Sequence, residues 1–324
     1  MKVIFSRVKV PHMDIIQDRT ALLVWFLSVL KWKQLGFETV FYTDEETKNE
    51  LSEVGLVDLY DEVHILNQEN IKDDVFWAHA KILSAKDFVT NYPDEEFIIS
   101  DMDFIPLKNP CNFYKGGKEL VVFYREYKQM YTAIENLKLN DDYQFPKYFT
   151  GNVDPINACQ LLVHKEMLPD FKEYLNYELE FMNQYKNDFI SGKISNDIMV
   201  FLEQRLFTEF LVNEKGYTLV ETSPQYKSVF NTSGIHTGPY KSLELVEYYK
   251  WIIWYLKMLR EEFTDVYESI IHLDLYDDFR QIIEDGKGTY TNKKKKETYI
   301  EEFSWDTLEY PRAFEDIYDP VWNK

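Results

Sequence analysis

Glycine is scarce in the first part of this chain: of 11 glycines among 324 residues, none precedes Gly36. The Gly-x-Gly-x-x-Gly turn of dinucleotide-binding dehydrogenases needs glycines directly after the first strand, so that class is excluded. Cysteine is scarcer still, because only Cys111 and Cys159 are present and neither has a metal-ligand spacing. A disulfide framework is unnecessary in a chain with ample material for a core, and the two lone cysteines fit a reducing compartment.

Long apolar runs and an excess of basic charge are also lacking. The most apolar stretch, Ala21 to Leu30, is too short to span a bilayer and is followed by Lys31 and Lys33. The amino terminus turns charged before a signal-peptide apolar region could form, so we expect a cytoplasmic protein. A formal net charge of −20 opposes extended binding along a nucleic-acid backbone, which requires a basic surface.

Apolar and aromatic residues, in contrast, are plentiful. Hydrophobic residues make up 45% of the chain and aromatic residues 17%, which is ample for a large core. The length suits one large α/β domain with a helical extension, or two poorly separated domains.

Strand and helix patterns alternate along the first hundred residues. Repeated β-α-β units with short connections predict a mixed, mostly parallel central sheet flanked by helices. The strand patterns lie at Lys2–Val8, Glu38–Tyr42, Glu62–Leu66 and Phe97–Ser100, and the helix patterns at Thr20–Leu35, Asp44–Gly55 and Val75–Tyr92.

The later chain is less regular, and its last eighty residues read as mainly helical. Tyr248–Trp254 carries aromatic residues at helical spacing, which favours core packing, with docking on a membrane surface as the alternative. Further strands are predicted at Leu120–Tyr124, Cys159–Val163, Tyr217–Glu221 and Lys227–Phe230, and helices at Lys165–Tyr185, Ser195–Val212 and Ser242–Phe263.

Asp101 and Asp103 form the only Asp-x-Asp of the chain, directly after the apolar strand Phe97–Ser100. Such a strand end lies at the carboxyl edge of the sheet, where open α/β folds bind ligands. Residues two apart in an extended segment face the same side, so both carboxylates can bind one divalent cation. The alternative is an ordinary strand end whose acidic side chains meet water.

The second informative segment runs from Gly234 to Lys241. Its glycines let backbone amides approach an anion closely, and Lys241 adds a positive charge. A neutral His236 could complete a metal shell begun by the aspartates. The alternative is a Gly/Pro turn in which His236 is only hydrogen-bonded.

With these motifs, the chain resembles the GT-A fold glycosyltransferases, which transfer sugars from nucleotide-sugar donors. An amino-terminal αβ half precedes Asp101-Met102-Asp103, and an acceptor-side region precedes the late His-Gly-Lys loop. That loop is similar to the His-x-x-Gly-x-x-Lys of retaining family 8 enzymes, where the histidine binds metal and the glycine and lysine contact the diphosphate. Here His236 and Gly238 are one residue closer, and Ser242-Leu243 replaces the usual Pro-Trp.

The resemblance implies a Rossmann-like catalytic domain over residues 1–241, with a nucleotide-binding half (1–108) and an acceptor-side half (109–241). Residues 242–324 would form a helical extension. The implied activity is metal-dependent transfer from a nucleotide-diphosphate sugar, by family analogy a UDP-sugar, to a glycan, protein or small-molecule acceptor. The implied cofactor is Mn²⁺ or Mg²⁺, and its ligands are Asp101, Asp103 and His236.

Other positions fit the nucleotide side of this scheme. Lys81 lies one helix before the Asp-x-Asp, where related enzymes often place a basic residue facing the nucleotide; a solvated surface lysine is the alternative. Thr43 ends the second strand beside Asp44, which can cap the next helix. The predicted contacts of the nucleotide diphosphate are Arg7, Thr43, Lys81, Asp101, Gly238 and Lys241.

On the acceptor side the candidate catalytic residues are Asp197, Glu203 and Gln204. Glu203-Gln204 resembles the acidic-Gln pair found on the helix beside the transferred sugar. An inverting enzyme would need a carboxylate near the acceptor hydroxyl as base, whereas a retaining front-face reaction would not. The alternative for each acidic residue is plain solvent exposure.

Three other functions are alternatives to sugar transfer. A sugar-nucleotide pyrophosphorylase shares the fold but needs a Gly-rich loop after the first strand, which is missing. In phosphatases with Asp-x-Asp at a strand end, the chain after the motif normally forms a small flexible turn. Here the motif is followed by the stiff and bulky Phe104-Ile105-Pro106. The third alternative is an acidic interaction protein that keeps the fold without transfer activity.

Overall fold

A computed structural model describes residues 1–9, 19–66, 79–126, 128, 143–191, 197–223, 233–236, 245–292, 297–302 and 304–305. Strands in this part of the chain form one large sheet and two small two-stranded sheets. In chain order they are β1 (Lys2–Arg7), β2 (Glu38–Thr43), β3 (Glu62–Ile65), β4 (Phe97–Ser100), β5 (Phe104–Pro106), β6 (Glu119–Val122), β7 (Gln160–Val163), β8 (Thr218–Glu221), β9 (Gly234–His236), β10 (Lys287–Asn292) and β11 (Glu297–Glu302).

The seven-stranded sheet has the order β3-β2-β1-β4-β7-β6-β8. Strand β7 runs antiparallel to both of its neighbours, and the remaining pairs are parallel. The predicted mixed, mostly parallel sheet flanked by helices is therefore confirmed. Because β1, β2, β4 and β6 point the same way, their carboxyl ends meet at one edge.

The helices agree with the predicted ones to within a few residues. The exception in type is the segment 197–214, where short α-helical and π-helical turns follow one another without a break. The helices are α1 (Arg19–Gln34), α2 (Glu45–Glu53), α3 (His79–Asn91), α4 (Leu168–Ile190), α5 (Asp197–Val200), α6 (Phe207–Glu209), α7 (Leu245–Glu262), α8 (Thr264–Ile271) and α9 (Asp277–Asp285), with π-helical turns at Phe201–Leu206 and Phe210–Glu214 and 3₁₀ turns at Val57–Leu59, Pro110–Phe113 and Asp274–Tyr276.

Two apolar cores lie on opposite faces of the sheet. Along β1, Val3 and Phe5 enter one core and Ile4 enters the other, as the alternation of a strand requires. The first core contains α1 and the carboxyl-terminal helices, and the second contains α3, α4 and the segment 197–214. Helix α1 contacts β5 on one side and α7 on another, which explains why its sequence is apolar almost all round.

Helix α7 packs its apolar side into the first core. Ile252, Tyr255, Leu256 and Leu259 are all fully buried, so core packing is the right interpretation for these side chains. The side chains of Tyr248 and Trp251, on which the prediction also fell, lie outside those that the structure describes. Membrane contact through this helix stays a prediction. Among the described residues, no helix combines the length and apolarity needed to cross a bilayer.

Beyond α9 lies an antiparallel hairpin, β10–β11, that the sequence analysis does not predict. The division of the chain at residue 241 stays a prediction, and the strand predicted at Lys227–Phe230 lies outside the described residues.

Candidate metal centre

The Asp-x-Asp follows β4 at the carboxyl edge of the sheet, as predicted. The Asp101 N–H donates to the carbonyl of Cys159 at 2.9 Å, which ties the exit of β4 to the residue before β7. The Phe104 N–H then returns to the Asp101 carbonyl at 3.2 Å and closes a tight turn. Both aspartate side chains remain partly exposed at this turn, so an ion can reach them.

The short antiparallel pair β5–β9 brings His236 to the same place. In its register Phe104 lies opposite His236 and Pro106 opposite Gly234. His236 therefore lies opposite the residue that directly follows Asp103. Neither three-residue strand is predicted by the sequence analysis, which treats Gly234 to Lys241 as one loop.

Close packing around Phe104 fixes this pair. The Ser28 hydroxyl donates to the Phe104 carbonyl at 2.6 Å, which anchors β5 to α1. A Cβ atom added to Gly234 would lie 2.3 Å from Cζ of Phe104, so the ring packs where only a glycine leaves room.

One ligand atom from each of Asp101, Asp103 and His236 lies within 4.8 Å of the other two. Nε2 of His236 is 3.6 Å from Oδ1 of Asp103. Ligands of one small divalent ion lie about 2.1 Å from it and hence up to about 4.2 Å from each other, so small side-chain rotations suffice. Two carboxylates and an imidazole form a donor set that fits Mn²⁺ better than Mg²⁺.

The charge on His236 depends on the two aspartates. Burial alone lowers the pKa of its imidazole, but the Asp103 carboxylate, aided by Asp101, raises the pKa above its ordinary value. A cation bound here would reverse that preference, because it competes with the proton for the same nitrogen.

Lys81 is partly buried, with 14% of its side chain exposed, and is paired with two carboxylates, so a freely solvated surface lysine is the wrong interpretation. Its ammonium contacts Oδ1 of Asp101 and Oε1 of Glu203, each at 2.5 Å, and donates to the Ala158 carbonyl at 3.3 Å. Burial lowers the pKa of Lys81, but the two carboxylates more than compensate and raise it. Its contact with a nucleotide stays a prediction; the observed contacts make it a bridge between Asp101 and Glu203.

Glu203 is also buried, so simple solvent exposure is the wrong interpretation for this residue. Its Oε1 binds Lys81, whereas Oε2 has no hydrogen-bond partner among the described residues. Burial raises the pKa of its carboxyl, although Lys81 opposes the rise. Glu203 lines a cavity together with Lys81, Glu178 and the apolar side chains of Ile82, Ala85, Ile99, Ala158, Leu161, Phe171, Leu175 and Phe207.

The remaining predicted positions are only partly brought together. Arg7 and Thr43 end β1 and β2 and are directly paired in register. The Arg7 guanidinium stacks over Trp25 at 5.5 Å, and Thr43 is buried. Asp44 caps α2 as expected, since its carboxylate accepts from the Thr47 N–H at 2.7 Å.

Gln204 lies beside Glu203 in the π-helical turn, and Asp197 begins α5. Gly238 and Lys241 lie outside the described residues. The functional roles of all these positions stay predictions.

Three residues near the metal ligands were missed by the sequence analysis. The Tyr124 hydroxyl lies 3.2 Å from Nδ1 of His236, and the Glu126 carboxylate accepts from Nδ2 of Asn157 at 2.5 Å. Burial raises the pKa of Glu126. Part of the signal was present, because Tyr124 ends the predicted strand Leu120–Tyr124 and Glu126 follows it, and the observed β6 ends at the same carboxyl edge as Asp101.

No protein-family model and no curated protein matches the chain. Among solved structures it is similar to the galactosyltransferase LgtC in complex with donor and acceptor sugar analogs, at 12% identity and a TM-score of 0.34 over 63% of this chain and 71% of that chain. An active-site mutant of LgtC gives 12% identity, the same TM-score, and coverage of 63% and 70%. Mouse xyloside xylosyltransferase 1 in the apo form gives 13% identity, a TM-score of 0.37, and coverage of 69% and 86%. These similarities are too distant to assign a function.

Proposed function

We propose that this protein is a metal-dependent glycosyltransferase that moves a sugar from a nucleotide-diphosphate donor, with UDP as the nucleotide, to an acceptor. The observation that carries the proposal is the convergence of Asp101, Asp103 and His236 at the carboxyl edge of a mostly parallel sheet. The sequence resemblance to GT-A glycosyltransferases supports the same activity.

The chemistry of sugar transfer explains why such a centre is needed. Negative charge accumulates on the leaving diphosphate as its bond to the sugar breaks, and a bound divalent cation supplies stabilisation that is greatest in the transition state. Two unit charges 4 Å apart interact by about 4 kcal/mol at an effective dielectric of 20, which is enough to change a rate by orders of magnitude.

The residues of this chain have distinct roles in the proposal. Asp101, Asp103 and His236 hold the cation, and Lys241 with the Gly238 backbone contacts the diphosphate. Glu203 is the acceptor-side carboxylate, since Lys81 ties it to Asp101 and so keeps it beside the metal centre.

The test is calorimetric titration of the full chain with Mn²⁺ and a panel of nucleotide sugars. We expect one donor to bind in a Mn²⁺-dependent way and to be hydrolysed slowly by the wild type. Asp103→Ala should abolish that binding, whereas Asp94→Ala, at an exposed turn, should leave it unchanged. Absence of donor binding at millimolar concentration contradicts the proposal and favours the acidic interaction protein.

A further inference from the structure

His236 uses only one of its two ring nitrogens toward the aspartates. Nε2 faces Asp103, while Nδ1 lies 3.2 Å from the hydroxyl of Tyr124. In a neutral imidazole one nitrogen carries the proton and the other carries the lone pair that binds a metal. The partner of Nδ1 therefore decides whether Nε2 is available as a ligand.

The Tyr124 hydroxyl has one proton to donate in a hydrogen bond, and the Glu126 carboxylate is its acceptor. The Tyr124 hydroxyl hydrogen-bonds the Glu126 carboxylate, which also accepts from Nδ2 of Asn157 at 2.5 Å. In its ionised form the Glu126 carboxylate only accepts hydrogen bonds, so the tyrosine hydroxyl is the donor in that bond. The Tyr124 oxygen can then accept a hydrogen bond from the Nδ1–H of His236, which leaves the lone pair on Nε2.

Backbone contacts hold this network rigidly against the metal ligands. The Glu126 N–H donates to the Pro155 carbonyl at 2.7 Å, and the Asn157 N–H donates to the Tyr124 carbonyl at 2.9 Å. Oδ1 of Asn157 accepts from the Cys159 N–H at 3.0 Å, and the Cys159 carbonyl in turn receives the Asp101 N–H.

A glutamate at position 126 is unfavourable for the free energy of folding unless hydrogen bonds compensate it. Its side chain is partly buried, enough to raise the pKa of the carboxyl, and no cationic side chain among the described residues forms an ion pair with it. A carboxylate so placed costs free energy unless its hydrogen bonds compensate, and both of its side-chain donors belong to the network around His236. That placement points to a role in the site rather than in stability.

We propose that Tyr124 and Glu126 are positioning residues of the metal centre, which orient His236 and fix its tautomer so that Nε2 binds the divalent cation. The inference rests on the proposed function only for which substrate the bound cation would act on. Partners of this kind on a ligating histidine typically contribute about 10-fold to 100-fold in metal affinity.

The experiment measures Mn²⁺ affinity by electron paramagnetic resonance of the free ion, on the full chain without nucleotide. Tyr124→Phe should bind Mn²⁺ at least about 10-fold more weakly than the wild type. Glu126→Gln should show a smaller loss of affinity, because its amide oxygen still accepts a hydrogen bond from the Tyr124 hydroxyl. Pulsed resonance of the bound ion should detect imidazole nitrogen in the wild type and a weaker nitrogen signal in Tyr124→Phe. Tyr143→Phe, whose hydroxyl lies 2.8 Å from that of Tyr177, is the matched control and should behave as wild type.

The outcomes separate this inference from the proposed function. Equal Mn²⁺ affinity and equal nitrogen signals in wild type and Tyr124→Phe overturn the inference, whether or not a donor is hydrolysed. Weaker binding by Tyr124→Phe in a protein that binds no nucleotide sugar supports the inference and overturns the transferase proposal. A wild type that binds no Mn²⁺ overturns both.

Discussion

At the scale of single residues, Lys81 holds the most demanding position. Its partly buried ammonium contacts two carboxylates, Asp101 and Glu203, that belong to different parts of the chain. Removing one partner of a buried ion pair leaves an uncompensated charge and costs more than the intact pair contributes. Lys81 therefore decides whether the other two side chains can stay close together.

We expect Lys81→Met to lower the free energy of unfolding by about 3 kcal/mol, the lower end for a buried ion pair, because Glu203 would lose its partner away from water while Asp101 stays partly exposed. Urea unfolding followed by circular dichroism measures this loss. Adding Glu203→Gln should recover part of it, whereas Lys86→Met, which removes a surface contact with Asn176 from the same helix, should change stability by less than about 0.5 kcal/mol. A Lys81→Met variant as stable as the wild type would show that the pair is not important for the fold.

The convergence of Asp101, Asp103 and His236 could be predicted from sequence, whereas the partners of these residues could not. Asp101 and Asp103 follow an apolar strand, and this local signal survives in a single sequence. The contact of Lys81 with Glu203 joins residues 122 positions apart, and no local periodicity encodes it. Tyr124 and Glu126 are missed for a different reason: the end of β6 lies at the same edge as Asp101 only because β7 pairs antiparallel with both β4 and β6, which no local pattern shows.

At the scale of elements, length decides what the sequence could predict. Most strands and helices of ordinary length show their period of 2 or 3.6 and are placed to within a few residues, although the six-residue strands β10 and β11 are not. Strands β5 and β9 have three residues each, which is too short for a period, and they exist only because distant segments pair. The π-helical turns after α5 were likewise invisible, since they share the apolar pattern of an α-helix.

The pair β5–β9 depends on the missing side chain of Gly234. Gly234→Ala would place a Cβ 2.3 Å from the buried ring of Phe104, so we expect a loss of about 1 to 3 kcal/mol in unfolding free energy from overpacking. Because His236 lies on the same short strand, Mn²⁺ affinity should fall as well. Thermal unfolding and Mn²⁺ titration measure the two effects.

Phe104→Leu provides the matched background, because it shortens the ring that meets the new methyl group. In that background Gly234→Ala should cost clearly less than in the wild type, which is the sign of a direct contact. Equal losses in both backgrounds would mean that the clash with Phe104 is not the cause.

At the scale of the whole molecule, the fold brings acidic side chains from distant segments close to the ammonium of Lys81. Asp101, Glu203 and Glu178 act on the single ammonium of Lys81, in a chain whose formal net charge is −20. The excess of acidic residues was visible in the composition. Which of them would be buried was not, because burial of Glu178 depends on how α4 packs against α3 and the segment 197–214.

Glu178 makes the stability of the molecule depend on pH. Burial, followed by the negative charge of Glu203, raises the pKa of its carboxyl well above the value of 4.5 for an unperturbed group, and Lys81 opposes the rise only in part. The folded protein therefore keeps the Glu178 proton at pH values where the unfolded chain has released it. By linkage, the stabilisation is fully present below about pH 4.5 and is lost as pH rises toward the folded pKa.

Glu178→Gln removes this dependence, because the amide is neutral at every pH. We expect its melting temperature to match that of the wild type near pH 4 and to exceed it increasingly as pH rises. The underlying difference in unfolding free energy should grow by up to about 1.4 kcal/mol for each pH unit. Glu180→Gln, an exposed position on the same helix, is the control and should follow the wild type throughout. Melting curves measured from pH 4 to pH 8 give both comparisons, and a constant offset between Glu178→Gln and wild type would contradict the expected proton linkage.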